Sequence, residues 1–177
     1  MTTETTPLTT PDETCTLADN FRAAMRRFTA TVSVISSCLD GERHGMTATA
    51  VTSVSLEPPS LLVCVNRKGR LFEMLERSPR FCVNVLHAGQ SAVSRTFAQP
   101  HSAERFAQGQ WDDDAFGVPY LRDAQVAIFC TKALAVPHGS HSVFFGNVAA
   151  VRLRDEIAPL LYQDGAYGVC EPLATGR

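Results

Sequence analysis

The stretch Gly45–Asn66, GMTATAVTSVSLEPPSLLVCVN, decides how this chain is read. It holds two β-rich runs joined by Glu57-Pro58-Pro59-Ser60. The first run, Met46–Leu56, sets Thr47, Thr49, Thr52, Ser53 and Ser55 among small apolar residues. A strand interior ordinarily puts large apolar side chains on one face and polar ones on the other. Here the side chains are small and hydroxylated on both faces, so something other than packed side chains fills the space beside them. A flat polar ligand that approaches the backbone closely suits such a ribbon. The alternative is that the threonines and serines are plain β-formers on an exposed face. The second run, Leu61–Val65, is continuously apolar and reads as a buried strand.

Working outward, Leu17–Phe28 carries Leu17, Phe21, Ala24, Met25 and Phe28 at helical spacing and predicts an amphipathic helix packed on the domain. Thr31–Ser37 alternates as a strand, and the Leu39-Asp40-Gly41-Glu42 turn predicts a hairpin over Thr31–Leu56. Gly69–Arg77 reads as a short helix with Leu71, Phe72 and Leu75 on one face, stopped by Ser78-Pro79. Phe81–Leu86 is a strand, Gln90–Phe97 a second short helix, and Ser102–Asp114 an irregular polar segment around Phe106 and Trp111. Ala124–Val136 and Ser142–Leu153 pair across Pro137–His141, and Leu160–Tyr162 with Ala166–Val169 closes the set. Six or more strands with only short helices make a mainly β protein, an antiparallel barrel with short flanking helices. No GxGxxG stands between a strand and a helix, so a nicotinamide nucleotide is not held by a Rossmann domain.

At 177 residues, 45% of them apolar and 19% charged, the chain suits one domain with a substantial core. A formal charge of −2 gives no reason to expect nucleic acid or an anionic membrane as partner. No run of about 18 apolar residues predicts a membrane span. Residues 1–16, Thr-rich with two prolines before Thr14, read as a disordered tail; 17–170 form the domain and 171–177 a C-terminal tail. Six scattered cysteines, Cys15, Cys38, Cys64, Cys82, Cys130 and Cys170, make no CxxC pair. They read as small apolar residues in a cytoplasmic, reducing setting.

The signature stretch, with Arg80–Leu86 (RFCVNVL), Ser94–Ala98 (SRTFA), Gly139-Ser140-His141 and Leu161–Gly168 (LYQDGAYG), resembles the flavin reductase family that serves two-component monooxygenases. The similarity is nearest to the reductase partners of aromatic-ring hydroxylases and runs from about Asp19 to Gly168, with the segments in the family's order. It implies an FMN-binding split β-barrel of Greek-key type, a homodimer, and a flavin near the subunit boundary. It implies hydride transfer from NADH (or NADPH) to FMN (or FAD), and delivery of reduced flavin to a separate monooxygenase. Two other readings stay open: a protein that retains its flavin and reduces another acceptor, such as a cobalt corrinoid, and a flavin-binding protein without turnover.

The resemblance assigns roles residue by residue. Thr47, Ala48, Thr49 and Ala50 line the isoalloxazine edge, and Ser53, Val54 and Ser55 continue along the ribityl chain. Asn66, Arg67 and Lys68, between a strand and a helix start, suit a phosphate; Arg67 and Lys68 are equally readable as solvated loop charges. Ser94, Arg95, Phe97 and Ala98 match a segment on the phosphate or adenine side, and Arg105 with Phe106 resembles a basic-aromatic pair. Ser140 stands where many members have Asp, which removes any role needing a carboxylate. His141 positions the nicotinamide and is the catalytic candidate, while Tyr167 lies near that ring or, alternatively, in the core. His138 and His141 have no Cys or carboxylate cluster at metal-ligand spacing, so no metal site is expected.

Overall fold

In the computed structural model, which describes residues 16–99, 104–171 and 173, Thr16 caps the first helix by accepting the Asp19 N–H at 3.2 Å. The rest of the expected N-terminal tail lies outside the described residues, as do 172 and 174–177 at the other end. Helix α1 (Leu17–Met25) has the expected apolar spacing but buries none of its residues, which corrects the expectation that it packs on the domain. Leu17, Phe21 and Phe28 stand in solvent. Its end is held instead by polar contacts, Arg26 Nε donating to Asp164 at 2.9 Å.

The strands follow in order: β1 (Ala30–Thr31), β2 (Ser33–Leu39), β3 (Glu42–Ala48), β4 (Val51–Leu56) and β5 (Pro59–Asn66), then α2 (Arg70–Arg77) and β6 (Arg80–Val85). After α3 (Ser91–Ala98) come β7 (Trp111–Asp113), β8 (Pro119–Leu121), β9 (Val126–His138), β10 (His141–Leu153), β11 (Leu161–Gln163) and β12 (Ala166–Gly168). Asp40 and Gly41, at φ of 53° and 79°, fold β2 onto β3. Positive φ at both central residues is what a two-residue hairpin turn requires, and an Asp-Gly pair supplies it.

Seven strands form one antiparallel sheet in the order β3-β2-β6-β9-β10-β5-β4. Its two edge strands, β3 and β4, are joined by only Thr49 and Ala50, so the sheet must curl until its edges meet there. The predicted hairpin over Thr31–Leu56 therefore ends at Ala48, and Met46–Leu56 is two strands rather than one. The break has a local cause: Val51 N–H turns back to the Thr49 carbonyl at 3.0 Å, and the Ala50 carbonyl accepts from Cys64 across the gap at 3.1 Å.

The curl encloses one core. Ile35, Ala48, Val63, Phe81, Cys130 and Phe144 meet inside it, with Leu71 and Leu75 of α2 closing one end. Each large side chain so buried contributes about 1.5–3 kcal/mol. Gly146 admits Phe81: a Cβ there would stand 2.5 Å from Phe81 Cζ and 2.8 Å from Cys130 Cβ. The ladder between β9 and β10 shifts register next to it, between Phe145 and Gly146. Strand β5 alternates buried Leu61, Val63 and Val65 with half-buried Leu62 and Cys64, so it is covered on one face only rather than buried throughout. Cys82 and Cys130 are buried apolar residues as expected, with burial raising both thiols, that of Cys130 to about 12.

A second cluster, Val32, Leu86, Val93, Phe97 and Leu121, is covered by the small sheet β1-β11-β12. The segment expected to be irregular holds more order than its polarity suggests. Arg105–Ala107 is a 3-10 turn, and Trp111–Asp113 pairs with Pro119–Leu121. Stacking of Phe97, Phe106 and Trp111, with centroids 5.0–5.2 Å apart, anchors it.

Candidate active site

The sequence candidates fall into two hydrogen-bonded groups. In the first, Thr47 at the end of β3 donates its hydroxyl to the Ser94 carbonyl at 2.7 Å. Tyr167 of β12 donates to Ser94 Oγ at 2.8 Å, and the Arg95 guanidinium lies 5.6 Å from the Tyr167 ring centre. Ser94 is 1% exposed and Phe97 2%, so their side chains hold α3 against the barrel rather than meet solvent. Ala48 likewise points into the core, which leaves its backbone as what it offers a ligand. Thr47→Val is expected to lose the bond to α3 at a cost of about 1 kcal/mol, read as a fall of about 2–4 °C in Tm.

In the second group, Asn66 ends β5 opposite His141, which opens β10. Asn66 Oδ1 accepts the Lys68 N–H at 2.9 Å, and the Asn66 carbonyl accepts that of Gly69 at 3.0 Å. The Arg67 N–H donates to the Ser140 carbonyl at 3.0 Å, and its guanidinium rests 6.0 Å from the Phe72 ring centre. Ser140 Oγ and His141 Nδ1 are 2.9 Å apart. Gly139, at φ 54°, makes the turn that presents them in solvent. Thr49, Ala50, Ser53 and Val54 are exposed along the seam where the sheet edges meet, and Ser55 spends its hydroxyl on Glu57 in the turn.

A cleft of about 730 Å³ opens beside Met46, between β3, the start of α2 and the end of α3. Lys68 and Ala98 line it as the sequence suggests, with Phe97 behind them. Arg43, His44, Arg70, Arg105 and Phe106 line it too, and of these only the Arg105–Phe106 pair carried a sequence signal. Helix α2 follows Gly69 with no side-chain cap; the Phe72 N–H returns to the Gly69 carbonyl at 3.0 Å, which leaves the N–H groups of Arg70 and Leu71 on this side without a partner among the described residues. His141 does not line the cleft; Arg67 links the two places through the chain.

Arg105 organises this cleft from within. It is 7% exposed and donates to the Gly45 carbonyl at 3.3 Å and to the Gln99 carbonyl. It also donates to His44 Nε2 at 2.7 Å. A guanidinium only donates, so His44 carries its proton on Nδ1. Arg105 Nε and His44 Nδ1 are then buried donors without partners among the described residues. Burial, then the nearby Arg105 and Arg70 charges, hold His44 down to about 4, and burial also lowers Arg105.

An unfolded histidine titrates at about 6.5, so between that pH and about 4 the unfolded chain binds the extra proton. The His44 contribution to stability is complete above about pH 6.5 and is lost as pH falls towards 4. In thermal melts across that window, the wild-type chain is expected to lose more than His44→Gln does, by about 1–2 kcal/mol after discounting for the partial exposure of the ring.

Solved structures with this architecture are flavin reductases. A flavin reductase from Haemophilus somnus 129PT superposes with a TM-score of 0.84 at 30% identity, covering 88% of this chain and all of that one. The NADH:FAD oxidoreductase SgcE6 of Streptomyces globisporus, solved with NAD and FAD fragments, does so with a TM-score of 0.84 at 30% identity over 90% and 96%. These define a flavin reductase of split-barrel fold. The chain belongs to the flavin reductase like domain family, whose model matches residues 25–171. It is 47% identical over 159 residues to the reductase component of FADH2-dependent resorcinol hydroxylase from Rhizobium sp. strain MTP-10005, covering 88% of this chain and 89% of that one. Against FMN reductase (NADH) RutF of Pseudomonas syringae pv. syringae it is 38% identical over 143 residues, 80% of each chain.

Proposed function

We propose that this flavin reductase oxidises NADH (or NADPH), passes the hydride to FMN (or FAD), and releases the reduced flavin to a separate monooxygenase component. The observation that carries the reading is the run of small exposed residues Thr49, Ala50, Thr52 and Ser53 where the two sheet edges meet, a few residues along the chain from Met46 in a cleft lined by Arg43, Lys68, Arg70 and Arg105 together with Glu42 and Glu73. A planar ring fits against a backbone that carries no bulky side chain. A phosphate suits the uncapped start of α2, with Lys68 beside it and the buried Arg105 donor behind; Arg70, ion-paired with Glu42, would have to exchange that partner, and Glu73 lies in the same first turn. The names of the resorcinol hydroxylase reductase and of SgcE6 point the same way for flavin, nicotinamide and oxygenase partner.

Bound flavin supplies the two-electron chemistry; the chain's residues orient it and neutralise charge. Thr47, fixed to α3, sets the position of the ribbon. Asn66, Arg67 and Lys68 hold the phosphate side, with Ala98 and Phe97 in the facing wall, Ser94 supporting α3 from behind and Arg95 further along that helix. His141, steadied by Ser140, positions the nicotinamide; Tyr167, bonded to Ser94 in the other group, is assigned to that ring by the family resemblance alone. No proton is needed in that transfer, so the exposed ring of His141 need not be an acid. An open site, with its candidate ribbon in solvent, fits a product that must depart.

The exposed stripe of α1 (Leu17, Phe21, Met25) and the apolar side chains Val54 and Leu56 on β4 suit burial in a homodimer. Every described cysteine is free, in keeping with a reducing cytoplasm. Purified protein is expected to oxidise NADH only when FMN, FAD or riboflavin is added, and to sediment as a dimer. No stimulation by any flavin with either nicotinamide would overturn the reading. A yellow colour retained through gel filtration would favour a bound prosthetic flavin passing electrons to another acceptor.

A further inference from the structure

We propose that a second cleft, separate from the flavin and nicotinamide residues, binds a small planar aromatic carboxylate. It measures about 400 Å³ and lies between the β6-β9-β10 sheet and the β7–β8 hairpin, within the range of small-molecule sites. None of the candidate cofactor residues lines it.

Its floor is aromatic: Tyr120 and Phe129 meet edge to face at 5.2 Å. Space above them exists because β10 contributes Ala149 and Ala150 here, where the ladder with β9 shifts register between Val148 and Ala150. Large side chains at those places would fill the cleft. Phe116, 64% exposed, stands at the rim.

The charges are unevenly used. The Arg80 guanidinium lies 3.5 Å from the Phe116 ring centre, and that of Arg152 4.8 Å from Tyr120. Neither pairs with a carboxylate among the described residues. Two acids also line the cleft, each with partners of its own: Asp113 pairs with Arg43 at 3.4 Å, and Asp114 Oδ1 accepts the N–H groups of Phe116 and Val118 at 2.8 and 2.9 Å. Neither guanidinium makes a side-chain hydrogen bond among the described residues, so each keeps N–H groups in a fork that matches a carboxylate. Two such forks over an aromatic floor define the ligand as flat, apolar on its faces and anionic at its edge.

Titration calorimetry of the full chain with 4-hydroxybenzoate, without flavin, is expected to show one saturable site per chain. Cyclohexanecarboxylate, equally charged but puckered, is expected to bind about 10-fold more weakly. Arg152→Ala and Ala150→Trp are each expected to weaken 4-hydroxybenzoate by about 10-fold or more, the scale of one charge-assisted hydrogen bond or a filled pocket. Both variants are expected to keep wild-type flavin-stimulated NADH oxidation and melting temperature. No saturable binding, binding unchanged in both variants, or displacement of 4-hydroxybenzoate by FMN would each overturn the proposal. A change of sedimented mass in the variants would overturn it too, by showing that the cleft is covered by a second copy of the chain.

Discussion

Arg105→Ala is expected to lower stability by about 2–4 kcal/mol and to weaken flavin binding in the same variant. The side chain ties three places together: the Gly45 carbonyl on β3, the Gln99 carbonyl after α3, and the His44 ring. Removing it leaves two carbonyls and a ring nitrogen without their donor, each costing about 1–3 kcal/mol if fully buried. Water entering the adjoining cleft and relief of the guanidinium's own desolvation offset part of that. Urea unfolding of wild type and variant reads the loss, which is a large share of a marginal stability. The functional consequence follows from position: with Arg105 gone, the end of α3 and the wall of the cleft lose their common anchor, and the cleft loses a buried cation. Fluorescence titration with FMN is expected to show weaker binding in Arg105→Ala. Full affinity in a variant destabilised as predicted would separate the structural role of Arg105 from any role towards phosphate.

His141→Ala is expected to lower kcat/KM for NADH by about 10- to 100-fold, the scale of losing one orienting contact at a reacting ring. The KM for flavin and the melting temperature are expected to stay near wild type, because His141 is exposed and its hydrogen bond is to the adjacent Ser140. A fall in kcat with an unchanged KM for NADH would locate its effect in alignment, and a rise in KM alone would locate it in binding. Unchanged kinetics would remove His141 from the site, whereas tight flavin binding with no NADH oxidation in the wild-type protein would favour a flavin-binding protein without turnover. Ser140→Ala is the milder companion, since it removes the hydroxyl facing Nδ1 and leaves the ring in place.

Much of the barrel was legible because it is written in local pattern. Alternation marks Phe81–Leu86 and the two long strands, and the positive-φ Asp40-Gly41 pair marks a hairpin wherever it is placed. The ribbon of small hydroxylated residues was legible for the same reason, as a departure from that alternation. The failures share a cause. Met46–Leu56 has no break in its β propensity, and only the closing of the sheet forces a break at Thr49–Ala50. The apolar spacing of α1 states that a face will be covered but not by what, and among the described residues nothing covers it. Trp111–Asp113 is polar enough to pass for a loop until Phe97 and Phe106 stack on its tryptophan.

Of the site, residue types and loop positions were written in the chain: the donors around Asn66–Lys68, and the histidine after a left-handed glycine. Burial was not. Ser94 and Phe97 look like binding residues in the sequence and are buried supports in the structure, while His44 and Arg105 become cleft residues only through contacts 61 residues apart. Local periodicity is set by neighbours along the chain, so one sequence suffices to read strands, turns and helix starts. Which donors are desolvated, and which charges are left without partners, depends on long-range packing and was decided only when the sheet closed.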